Sequence, residues 1–142
     1  MICSCCPSKA VANRCYLQTP ANETLGQFSP DGRWMAYASD ESGTKQIYVQ
    51  PIPANGDKRQ ISTAGGNQPR WRRDGHELFY VANDLTLTAV PVKTGVTFDM
   101  DTPRPLFQID PVNATGFATF AYQPTSDGQR FLVTAAVGVQ LR

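Results

Sequence analysis

The stretch Phe28-Ser29-Pro30-Asp31-Gly32-Arg33-Trp34-Met35-Ala36-Tyr37-Ala38 holds an aromatic residue, a short polar link, an Asp-Gly pair and then an apolar run. Each part has a physical reading. Asp accepts backbone hydrogen bonds within a tight turn, and Gly takes the positive φ that closes a hairpin. The aromatic residue ends one strand and the apolar run starts the next. Apolar groups stand at successive positions, as in Trp34 and Met35, so both faces of the second strand are expected to be covered. Two further segments share this layout. One is Trp71-Arg72-Arg73-Asp74-Gly75-His76-Glu77-Leu78-Phe79-Tyr80-Val81, and the other is Tyr122-Gln123-Pro124-Thr125-Ser126-Asp127-Gly128-Gln129-Arg130-Phe131-Leu132-Val133. The third carries one extra residue between its aromatic residue and Asp-Gly, which predicts a looser turn.

The Asp-Gly pairs begin at positions 31, 74 and 127, spacings of 43 and 53 residues. Outside them, Pro or Gly interrupts nearly every window that could form an amphipathic helix. Short runs rich in Val, Ile, Phe, Tyr, Trp and Thr alternate instead with turn residues, as at 46–50, 85–92 and 119–122. This density of punctuated strands predicts an all-β protein. A repeat of roughly 40–50 residues in such a chain predicts propeller blades.

The same residues carry a resemblance. Phe28 to Gly32 is similar to the aromatic-Ser-Pro-Asp-Gly turn of the TolB-type, WD40-like β-propeller repeat. The likeness continues through Tyr37-Ala38-Ser39-Asp40-Glu41-Ser42-Gly43 to Ile47-Tyr48-Val49, where such repeats carry a second hairpin. The second copy departs from it, with Arg72 and Arg73 where Ser and Pro are expected. The resemblance covers about residues 12–136 and looks like the propeller region that follows bacterial serine/threonine kinase domains and occurs in related sensor proteins. It implies a β-propeller; the chain itself has neither a kinase Gly-rich loop nor a His-Arg-Asp motif.

Four strands per blade fit the chain as follows. Blade one takes 25–28, 33–39, 45–50 and 59–62. Blade two takes 68–71, 77–82, 85–92 and 106–109. Blade three takes 117–122, 130–135 and 137–141. Residues 14–18 fit the outer strand of a preceding blade, and residues 1–11 read as a disordered tail. About three blades are thus expected over 12–142, whereas closed propellers have 4–8. Left open, the first and last blades would expose flat apolar flanks and strand edges. The expectation is a two-fold dimer that closes a six-bladed ring, each copy's 14–18 strand completing the other's third blade. A truncated gene product without retained activity is a further reading.

Composition narrows the function classes. The chain has 142 residues, 13 Lys+Arg against 12 Asp+Glu and a net charge of +1. This balance argues against a dedicated nucleic-acid or polybasic membrane protein, and no run approaches the 18 apolar residues of a membrane span. Residues 1–10 lack the apolar core of a signal peptide, so the chain reads as cytoplasmic. Cys3, Cys5, Cys6 and Cys15 are the four cysteines, too bunched to staple a fold or to complete a zinc ribbon, and no metal or other cofactor is expected.

Signs of catalysis are thin. His76 is the only histidine and follows an Asp-Gly turn, where a solvated surface role is the ordinary one. There is no Gly-x-Ser-x-Gly elbow, no His-Glu-x-x-His and no Walker pattern. Asp99-Met100-Asp101 and Asp40-Glu41 lack the spacing of a calcium loop. Arg70, Arg72 and Arg73 surround Trp71, with Lys58 and Arg59 upstream. Such a group can stack bases and hold phosphates, but Trp71 fills the aromatic slot of the repeat and no nucleic-acid partner is expected. In a propeller, the links between blades share one face with the turns between second and third strands. Gly65-Gly66-Asn67-Gln68 leads straight into an inner strand, which singles out Asn67, Gln68 and Arg70 as candidate ligand-binding residues at a channel mouth. The expected function is a non-catalytic module for protein, peptide or small-ligand binding and assembly. A propeller-type hydrolase or lyase with its active site on the channel face is the alternative.

Overall fold

A computed structural model describes residues 23–109 and 121–133. The tail at 1–11, the four cysteines and the strands expected at 14–18 and 137–141 lie outside the described residues. Within them the chain is all-β, with no helix. β1 (Glu23–Phe28), β2 (Trp34–Ser39), β3 (Gln46–Pro51) and β4 (Arg59–Gln60) form a four-stranded antiparallel sheet in chain order. β5 (Asn67–Trp71), β6 (Glu77–Val81) and β7 (Thr86–Thr94) begin a second. The long β7 then serves two partners: β9 (Arg104–Gln108) pairs with its first half, and β8 (Phe98–Met100) pairs with its last residues. β10 (Tyr122–Pro124) and β11 (Phe131–Val133) form a third, two-stranded sheet.

The three Asp-Gly corners are the same turn. Gly32, Gly75 and Gly128 have φ of 74°, 78° and 68°, values open to Gly and costly for residues with a Cβ. In each, the glycine N–H donates to the carbonyl three residues back, Ser29, Arg72 or Thr125, at 2.8–2.9 Å. The Asp carboxylate accepts the N–H two residues on, that of Arg33, His76 or Gln129. The third turn is therefore no looser than the others, a correction to the expectation above. Its extra residue lies before the corner: Pro124 pairs with Phe131 as Phe28 pairs with Met35 and Trp71 with Leu78, so Pro124, not Tyr122, fills the aromatic slot.

β6 shows why the sequence carries apolar residues at successive positions. Strand side chains alternate between faces, and all five of its residues are buried. Leu78 and Tyr80 join Trp34, Ala36, Ile47, Val49, Val90 and Phe98 in a core shared with the first sheet. Phe79 and Val81 join Leu87, Ala89 and Tyr122 in a second core, against the third sheet. Burying each large side chain contributes about 1.5–3 kcal/mol. The two outer sheets differ in what they expose. Leu132, between the inward-packed Phe131 and Val133, is 75% exposed, whereas Met35, Tyr37 and Tyr48 on the far face of the first sheet are buried.

Candidate functional site

The first strands of the three sheets are tied side by side, and two of them are built alike. β1 and β5 each carry a bulge at the same place, between Thr24 and Gln27 in one and between Asn67 and Arg70 in the other. In β5 the bulge puts Gln68 at φ 55° and turns its side chain into the protein, where it is fully buried. There the Ala121 N–H donates to Gln68 Oε1 at 2.7 Å, and the Tyr122 hydroxyl donates to the Gln68 carbonyl at 2.6 Å. On the other side, the Trp71 indole N–H donates to the Gln27 carbonyl at 2.9 Å. Tertiary hydrogen bonds thus join β1 to β5 and β5 to the start of β10.

Where these three strands end, they enclose a cleft of about 360 Å³. Its walls follow the repeat. Gln27, Arg70 and Gln123 are equivalent positions, each one residue before the aromatic slot. Phe28, Trp71 and Pro124 are the slot residues themselves, and Pro30, Arg73 and Ser126 are the second residues of the three turns. Thr125 also lines it, and the described lining residues include two arginines and no carboxylate. Arg70 is half-buried beside the Tyr122 phenol; burial pulls its guanidinium below its ordinary value, partly offset by Tyr122. Burial likewise pushes the Tyr122 hydroxyl well above its usual range, keeping it a neutral donor. Arg73 is exposed.

Of the three residues expected at a channel mouth, only Arg70 lines the cleft. Asn67 and Gln68 stand at the start of β5, whereas the cleft gathers the strand ends. Gln68 is a buried tie between sheets, and Asn67 Oδ1 is buried with no hydrogen-bond partner among the described residues. Of the loops expected to share a face, the link at Gly65 and the turn at Asn83 meet: a Cβ on Gly65 would lie 2.1 Å from Asn83 Cγ. Arg73 also lines the cleft, and the other members of the basic group are engaged elsewhere. Arg72 holds Asp74 through two bonds of 2.7 Å and reaches Glu77 at 3.0 Å, and Glu77 also accepts from Arg104 at 2.7 Å. Lys58 pairs with Glu41, and Arg59 with Asp57.

The remaining candidates do not converge. His76 is 73% exposed in its side chain, with Nδ1 4.0 Å from Asp74. Among the described residues no group of three or more His, Cys, Asp or Glu could hold a metal ion, and no helix is long and apolar enough to cross a membrane. The cleft was missed in the sequence because its walls come from three segments far apart. Aligning the repeats on Asp-Gly and reading each column for a change of charge would have found Arg70 and Arg73 together. No protein-family model matches the chain, and no curated protein matches it.

Proposed function

We propose that this chain is a non-catalytic β-propeller module of the TolB-like kind, about three blades long, that binds a peptide or small ligand in the cleft where its inner strands end. The observation that carries the reading is the lining itself: equivalent positions from three successive repeats face one space. Repeats arranged around an axis bring like positions together at that axis, and propellers bind ligands there. Three equivalent turns, two equivalent bulges and sheets packed face to face support the same architecture.

Closure into a ring of six blades requires a second copy. The exposed Leu132 on the outward face of the third sheet supports a contact there; the far face of the first sheet, where Met35, Tyr37 and Tyr48 are buried in the single chain, would have to open to receive it. Light scattering at micromolar concentration is expected to give twice the chain mass, and Leu132→Asp is expected to shift it toward one chain. A single-chain mass for the unaltered protein overturns closure by a second copy. Ligand binding is tested separately, by titrating the protein with small molecules and short peptides while following Trp71 emission. Ser126→Phe, which fills the cleft, is expected to abolish any response. A response that survives this substitution places binding elsewhere.

A further inference from the structure

The positive charge of the cleft comes from one repeat alone. At the position before the slot the three repeats carry Gln27, Arg70 and Gln123, and at the second turn position Pro30, Arg73 and Ser126. The corner turn has the same hydrogen bonds and glycine φ in each copy, and the other copies make it without arginine at either place. In the same repeat Arg72 is held by Asp74 and Glu77, whereas Arg73 has no ion-pair partner among the described residues, and none of the described lining residues is acidic. Two guanidinium groups on one wall, with no carboxylate among the described lining residues, give the recess a basic lining. Trp71 and Phe28 add aromatic surface to its walls, and Phe28 is 45% exposed.

We infer that the cleft is an anion site, in which Arg70 and Arg73 grip the carboxylate or phosphate of a small ligand whose apolar part lies against Trp71 and Phe28. The inference rests on the reading of this cleft as the ligand-binding site. Guanidinium groups suit the chemistry because their planar donor sets match two-oxygen anions, and a half-buried arginine such as Arg70 makes a stronger charge-assisted hydrogen bond than a fully hydrated one. Volume is consistent with the class: about 360 Å³ lies at the small end of ligand pockets.

Three probes of similar size separate the possibilities: N-acetylphenylalanine, its uncharged amide and phenyl phosphate. Each is titrated into the full chain while Trp71 emission is followed; the second tryptophan, Trp34, is buried in the core. The acid or the phosphate is expected to bind at least ~tenfold more tightly than the amide, and their ratio shows which anion the site prefers. Arg70→Gln and Arg73→Ser copy residues that the other repeats already carry, so both are expected to fold. Each is expected to weaken the anionic probe ~tenfold or more, and Lys93→Gln, outside the cleft, to leave it unchanged. Equal binding of acid, phosphate and amide, all lost in Ser126→Phe, would overturn the anion site and leave the ligand-binding cleft standing. Anion binding indifferent to both arginine substitutions overturns the inference as well. If none of the three probes binds, both readings fall.

Discussion

Gly65 has φ 82°, and a Cβ there would meet Asn83 Cγ at 2.1 Å. Gly65→Ala therefore combines a left-handed conformation, which costs an ordinary residue about 1–2 kcal/mol, with a steric overlap. A lowered urea midpoint is the expected result, with part of the loss recovered when Asn83→Ala is added; strict additivity of the two changes would show that the overlap is not the cause. Gln68 acts through its side-chain amide oxygen, which accepts from the Ala121 N–H. Gln68→Leu leaves the buried Ala121 N–H without its acceptor and is expected to cost about 1–3 kcal/mol, read as a shift in midpoint with the slope unchanged. The carboxylates of the corners share a pH response. Asp74 is held down to about 2, from an ordinary 3.8, chiefly by its hydrogen bonds from Arg72; Asp31 and Asp127 are lowered chiefly by Ser29 and Thr125. A depressed value in the folded state means stability that is present above pH 4 and lost as pH falls toward 2. Asp74 is about half exposed (48%), so solvent screens the pair and the loss is modest. Asp74→Asn is expected to flatten the dependence of the urea midpoint on pH between 4 and 2; an unchanged slope would show that the Arg72 pair contributes nothing.

β8 shows how far elements were legible before any coordinates. The corner strands β1, β2, β5 and β6 follow from aromatic residue, Asp-Gly and apolar run, because local turn chemistry and two-sided burial are both written in neighbouring residues. β8 was not anticipated. Phe98-Asp99-Met100 is too short to show alternation, and its pairing with Val92, Lys93 and Thr94 depends on β7 running on to Thr94. Yet Phe98 is buried, its ring 5.4 Å from that of Trp34 in the first sheet. This short strand therefore closes part of the core between two sheets. Phe98→Ala is expected to cost about 3–5 kcal/mol and to redden Trp34 emission as the cavity admits water; a loss below 1 kcal/mol would mean that the edge collapses onto the gap. Arg70 is legible as a candidate, but loop order groups it with Asn67 and Gln68, and only Arg70 lines the cleft. Its true neighbours, Gln27 and Gln123, belong to other repeats and come together only when the sheets stack.

Taken as a whole, the molecule is layered, with the second sheet between two cores. Its strands β6 and β7 lose solvent on both faces, whereas β11 presents Leu132 outward. Amide exchange is expected to be slowest in β6 and the first half of β7 and fastest in β11 and β4, whose two residues are exposed; β11 protected as fully as β6 in dilute protein would contradict this order. The recess at the strand ends is made of like positions held by like turns, so its walls are interchangeable parts. Moving the second repeat's residues into the first, as Gln27→Arg with Pro30→Arg, alters the recess without touching either core. Chemistry at such a place can drift, one wall at a time, while the scaffold stays as it is.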